Sequence, residues 1–246
     1  SLESVISIIA KLLLFATDKA LSFNVQSKVT DRLTKNGYKS SKTGFNFGTS
    51  FEQYENFYIS PNISTYIEKL ETNSSAIASL KKQEGNYFDT NLGYSITYDK
   101  RDRRWRTSEG FLSKFIQTLP ILADDTSILN GYEFAKYNNW GEDLITKFSI
   151  YTRAVNSLDD SKDVRISERL SLPRDKLRGF EYSKIGPKDG NDYVGGNYAA
   201  SVNLTTNLPM ILPSVQTADF AFFIDAGNVW GVDYSSTVNE SNEIRS

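Results

Sequence analysis

Apolar and polar residues alternate along most of this chain with a period of two, the spacing of a β-strand whose successive side chains point to opposite faces. In the stretch 57–69, Phe57, Ile59, Ile63 and Ile67 alternate with Tyr58, Ser60, Asn62, Ser64 and Glu68. In 87–99, Phe88, Leu92, Tyr94, Ile96 and Tyr98 alternate with Asp89, Asn91, Gly93, Ser95 and Thr97. Further on, Leu144, Phe148 and Ile150 oppose Lys147, Ser149 and Arg153, and Val194, Tyr198, Val202 and Leu204 oppose Asn197, Ser201 and Asn203. Near the end, Phe220, Phe222 and Ile224 oppose Ala221, Phe223 and Asp225. The pattern predicts strands near 20–31, 41–53, 57–70, 87–99, 109–120, 127–139, 143–155, 193–207 and 217–228. The apolar stretch before residue 16 reads as a terminal strand or as a helix-like end.

Strand length separates two architectures. Strands of soluble proteins usually run about five or six residues. A ten-residue strand tilted by about 40° rises roughly 25 Å, the height of the apolar band of an outer-membrane barrel. The faces agree: one carries Asn, Ser, Gly, Thr and charges, as a wet lumen would, and the other carries aromatics near strand ends, such as Phe57, Tyr98, Phe111 and Trp140. The expected fold is therefore all-β, an antiparallel transmembrane β-barrel. A soluble antiparallel β-sandwich with one solvated face is the alternative that pattern alone leaves open.

Composition narrows the chemistry. The chain has 246 residues, enough for one domain spanning 1–246, with no linker, internal repeat or low-complexity tract. It contains neither cysteine nor histidine, which removes disulfides, thiolate metal sites and the commonest general base. Fourteen tyrosines and fifteen phenylalanines favour strands. A net charge of −2 provides no general field for nucleic acid. No apolar run approaches the eighteen or so residues of a spanning helix, and the stretch from Val5 to Ala16, broken by Lys11 and preceded only by Glu3, lacks the basic leader of an export signal.

Connections differ in length. Asn138-Asn139-Trp140-Gly141-Glu142 is a tight turn, whereas 156–192 is long and rich in Lys, Arg and Asp, and loops of that length are usually functional. The long loop holds Val164-Arg165-Ile166-Ser167-Glu168-Arg169, then Leu177-Arg178-Gly179-Phe180, then Ile185-Gly186-Pro187-Lys188-Asp189 and Gly195-Gly196-Asn197. Alternation puts Asp225 on the lumen-facing side of the strand expected at 217–228. Gly179 is expected to permit a tight turn or a close backbone contact, and Phe180 to wedge against the wall. The pairs Asp124-Asp125 and Asp159-Asp160 read as solvated loop charges, and Gly186-Pro187-Lys188 lacks the spacing of a phosphate loop. Lys100 to Arg106 around Trp105 is a poor single-strand nucleic-acid site, because Asp99, Asp102 and Glu109 nearly cancel its charge. Neither an enzyme nor a cofactor is expected.

The order of these motifs, with Phe222-Phe223-Ile224-Asp225-Ala226-Gly227-Asn228-Val229-Trp230 downstream, resembles the bacterial BamA family of outer-membrane protein assembly factors. The resemblance runs from about Leu21 to the end. It implies that the long extracellular loop folds back into the barrel, with Arg178 reaching Asp225 on the inner wall. It also implies a second wall position, often acidic in the family, where Asn203 stands here. The segment from Tyr98 to Gly110 is similar to the family's periplasmic turn, with Asp99, Arg101, Asp102 and Gly110 in its pattern and Arg106 in place of a proline. Four residues, Pro173-Arg174-Asp175-Lys176, replace the glycines usual before Arg-Gly-Phe.

What the resemblance implies about function is a bacterial outer-membrane barrel that inserts and folds other outer-membrane proteins through a strand-templating lateral seam. Its partners would be unfolded substrates, lipoprotein subunits and outer-membrane lipid, without ATP or nucleic acid. On this reading the chain holds about nine or ten of some sixteen strands. It ends at Arg245-Ser246, where a further strand is expected, and would by itself be neither a closed barrel nor active. Related translocation pores (two-partner secretion transporters and the autotransporter assembly factor) share the loop motif and remain open, as do a porin and the soluble sandwich.

Overall fold

The structure is a computed structural model that describes residues 2–14, 19–32, 37–141, 144–189, 192–208 and 220–233; residues 2–14 and 19–20 are described by their backbone pairing alone. Among the described residues ten strands form one antiparallel sheet. They are β1 (Leu2–Leu14), β2 (Lys19–Arg32), β3 (Tyr38–Tyr54), β4 (Phe57–Thr72), β5 (Gly85–Asp99), β6 (Gly110–Ala123), β7 (Ser127–Asn139), β8 (Ile145–Ser157), β11 (Tyr198–Asn207) and β12 (Ala221–Trp230). Each pairs with its neighbour in sequence, so the sheet is an up-and-down meander interrupted only between β8 and β11. There the long loop, residues 158–197, carries a two-stranded ribbon of β9 (Lys188–Asp189) and β10 (Asp192–Tyr193). A four-residue helix, α1 (Ala78–Lys81), lies in the β4–β5 connection. No ladder joins β1 to β12 among the described residues, so the wall is open.

The register shows which side chains share a face, because directly opposed residues point the same way. Asp225 pairs with Asn203, and Asn203 with Ser149; Ser149 pairs with Ala135 and Ala135 with Leu112. Followed across the sheet, this face carries Asp89, Glu68 and Lys42, and the long loop packs against it. The opposite face is apolar and uncovered: Phe47, Ile63, Ile67, Phe222 and Ile224 project from it, Ile224 at 69 % exposure. A soluble sandwich would bury that face beneath a second sheet. Among the described residues the only other sheet is β9–β10, inside the loop, so the sandwich is excluded and the apolar exterior belongs to a barrel wall facing lipid.

At the end opposite the long loop, aromatic rings gather on the apolar face. Tyr98 and Phe111 lie 5.6 Å apart, Phe111 and Phe134 6.2 Å, and Tyr54 and Phe57 6.3 Å. Trp140, in the β7–β8 turn at the same end, is exposed.

The strands expected from alternation are present, with two differences. Of the two readings of the stretch before residue 16, the structure has the strand, Leu2–Leu14, paired with β2 throughout. The strand expected from 193 begins only at Tyr198, because Gly195 has φ +73° and Gly196 instead bridges Leu170 across the loop. Helix α1 and the β9–β10 ribbon are not visible in the alternation. Residues 217–219 of the last expected strand, and Arg245 and Ser246, lie outside the described residues.

Candidate functional site

The long loop turns back over the polar face and is fixed there at two places. The first lies on β11 and β12. Arg178 donates from its backbone N–H and its Nε to Asp225 Oδ2, at 2.9 and 2.7 Å, and from Nη2 to Asp225 Oδ1 at 2.6 Å. The same Nη2 donates to Thr205 Oγ1 at 2.9 Å, and the guanidinium lies 3.9 Å from the centre of the Phe223 ring. Because Thr205, Phe223 and Asp225 all stand on the loop face, the strand period itself assembles this receptor. A planar guanidinium suits it: the fork meets both carboxylate oxygens while its face lies on an aromatic ring.

Asn203 lies directly opposite Asp225 in the register, but it does not meet Arg178. Its Nδ2 donates to the Lys176 carbonyl at 2.7 Å, which fixes the chain just before the arginine. Gly179 has φ +87° with open space where a Cβ would stand, so it serves the turn and not a close approach. Phe180 is 37 % exposed. The wedge expected of it falls instead to Leu172 and Leu177, which pack with Tyr151, Ala199 and Val229 in a small core between loop and wall.

The rest of the motif stitches the loop to the β11–β12 hairpin. Gly186 has φ +98°, and a Cβ there would lie 2.7 Å from the Val229 carbonyl, so no larger residue fits. Pro187 is buried and accepts a hydrogen bond from Val194 N–H at 3.1 Å. Lys188 lies 4.5 Å from the Tyr193 ring centre across the ribbon, and Asp189 accepts from Ser79 of α1 at 2.9 Å. Asn197 closes the segment: its N–H donates to Gly231 and its carbonyl accepts from Val155, both at 2.8 Å.

The second fixing point was not singled out from sequence. Residues 165–169 make one helical turn, Glu168 and Arg169 N–H both donating to the Arg165 carbonyl, which brings Arg165 and Glu168 to the same side. Arg165 is wholly buried and meets carboxylates from both directions. Asp89 on β5 accepts from Nη2 at 2.5 Å, Glu168 accepts from the same nitrogen at 3.0 Å, and Glu68 on β4 lies 3.5 Å from Nε. Its guanidinium covers the Tyr87 ring at 4.2 Å. The carboxylates are held in turn: Ser40 and Ser167 donate to Glu68 at 2.6 and 2.9 Å, and Ser127 and Tyr66 to Glu168 at 2.5 and 3.1 Å. The Arg-x-x-Glu spacing, set against Glu68 and Asp89 on the polar faces of their strands, was the available signal.

The turn 100–109 is at the other end of the wall. Arg101 donates from Nε and Nη2 to the two oxygens of Asp99, both at 2.8 Å. The Asp102 carboxylate accepts from the Ser108 hydroxyl at 2.6 Å and from the Ser108 and Glu109 N–H groups, and these bonds hold its pKa down at about 2. Gly110 has φ +94°, with the Lys100 carbonyl only 2.0 Å from where a Cβ would be. This segment shapes a turn and takes no part in the loop site.

The Omp85 superfamily domain matches residues 10–246. Among curated proteins, the outer membrane protein assembly factor BamA of Neorickettsia risticii is 26% identical over 85% of this chain and 29% of its own length. The SAM50-like protein of Schizosaccharomyces pombe is 31% identical over 55% of this chain and 30% of its own. The sorting assembly machinery 50 kDa subunit of Saccharomyces cerevisiae is 26% identical over 64% and 33%. The chain thus spans about a third of the length of these relatives. Its fold matches the crystal structure of BamA from Haemophilus ducreyi lacking POTRA domains 1–3, with a TM-score of 0.79 at 19% identity, over 93% of this chain and 50% of that one.

Proposed function

Since the chain belongs to the Omp85 superfamily, we propose that it is the barrel wall of a bacterial outer-membrane protein that inserts and folds other barrels. The observation that carries this reading is the inward loop gripped by Asp225 through Arg178, on a wall polar inside and apolar outside. A loop so held fills the lumen side and argues against a freely conducting porin. The relatives named as assembly factors or sorting-assembly subunits support assembly over secretion.

Unfolded outer-membrane proteins would be its clients, lipoprotein subunits its partners, and outer-membrane lipid its surroundings. The work would be done without covalent chemistry or cofactor: an unpaired strand edge presents N–H and C=O groups that template an incoming strand.

The test uses the full-length protein in liposomes, with an unfolded barrel protein diluted from urea. Folding is followed by the heat-modifiable shift in gel mobility. The expected result is faster folding than in protein-free liposomes, with the acceleration lost in Arg178→Ala. Protease-protected client inside the liposomes, with no gain in folding rate, would overturn the proposal in favour of a translocation pore.

A further inference from the structure

Most buried or half-buried cations on the loop face have their counter-charge: Arg165 among its carboxylates, Arg178 on Asp225, Arg153 on Glu133. The region around Lys28 and Lys42 departs from this. Lys28 on β2 and Lys42 on β3 are directly opposed in the register, on the loop face. Like charges in that position destabilise a sheet unless something lies between them. Both line a cavity of about 150 Å³ between these strands and the loop, together with Arg32, Arg169, Thr30 and Ser171. No Asp or Glu is among the described residues that line it.

Two of the four cations have partners elsewhere. Lys42 lies 3.2 Å from the Tyr66 ring centre and opposite Glu68, and Arg169 is 3.6 Å from Asp233. Lys28 and Arg32 remain. Arg32 Nε is buried without a hydrogen-bond acceptor among the described residues, a loss a folded protein normally avoids. Lys28 has no ion-pair partner among the described residues.

We infer that this cavity is a binding site for a phosphate group, held between Lys28 and Lys42 and hydrogen-bonded by Arg32. A tetrahedral oxyanion suits the site because it offers several acceptors at once to an ammonium pair, a guanidinium and nearby hydroxyls. The cavity is walled by β2–β3 and by Ser171, Tyr182 and Ser183 of the loop that Arg178 anchors, so its occupant would also brace that loop, and phosphate binding is read separately from client folding. The phosphate is either free inorganic phosphate or the ester headgroup of a lipid entering from the loop end.

The experiment is a thermal unfolding titration of the full-length protein in neutral detergent, followed by heat-modifiable mobility, with inorganic phosphate and glycerol phosphate as probes. In phosphate-free buffer Lys28→Gln is expected to unfold at a higher temperature than the wild type, because it removes the like-charge contact. Phosphate is expected to raise the wild-type midpoint saturably, to raise that of Lys28→Arg similarly, and to act about tenfold more weakly on Lys28→Gln and Arg32→Gln. Lys114→Gln, a lysine on β6 away from the cavity, should respond as the wild type does. Organic phosphorus retained through extraction, with glycerol phosphate the stronger competitor, identifies a lipid headgroup; its absence, with inorganic phosphate equally effective, identifies the free ion. A wild-type midpoint unmoved by both probes, or an equal response in the Lys28→Gln, Arg32→Gln double variant, overturns the site.

Discussion

The two arginines that fix the loop are in different surroundings, and this ranks them. The Arg178 side chain is 31% exposed, so water shares its charge when Asp225 is lost. Arg165 is fully buried, and its removal strands Asp89, Glu68 and Glu168 together. Breaking a buried pair by deleting one partner costs about 3–5 kcal/mol, and Arg165→Met is expected in that range. Asp225→Ala, which leaves the Arg178 guanidinium within reach of water, should cost about 1–2 kcal/mol after allowance for solvent. Urea unfolding midpoints in detergent measure both, and equal losses would show the ranking to be wrong. Arg178 was legible through the family resemblance that its local motif carries, with strand parity placing Asp225 on the matching face. Arg165 was not, since Asp89 lies 76 residues away and only the path of the loop brings them together.

At the scale of the strand, adjacent residues face different media. Ile63 points to the apolar exterior and Ser64 to the loop side. Lysine in place of Ile63, near the middle of β4, is expected to cost about 2–4 kcal/mol in a bilayer. At Ser64 the same change should stay within about 0.5 kcal/mol. Refolding into liposomes against urea separates the two, and a similar loss at both positions would contradict the assignment of faces. Alternation revealed these strands because burial on one side selects every second residue. It failed at 193–197, where Val194 and Asn197 continue the alternation although the backbone turns at Gly195. Periodicity reports which face a side chain prefers, and it does not register a change of φ.

For the whole molecule, the segment between Arg165 and Arg178 ties β4 and β5 to β11 and β12, strands far apart in the sheet order. The ordering entropy of that segment is met once for both anchors, so the anchors reinforce each other. The Arg165→Met, Arg178→Met double variant should therefore lose less than the sum of its singles, by about 1 kcal/mol in a double-mutant cycle. Strict additivity would mean that the loop does not act as one brace. The aromatic cluster of Tyr54, Phe57, Tyr98, Phe111 and Phe134 has a different consequence. Rings of this kind settle where headgroups meet hydrocarbon, so one rim of the wall is moored at a set depth. Vertical drift of the protein would drag those rings into water or into acyl chains, and the loop, which enters from the far rim, is thereby kept at a constant level inside the wall.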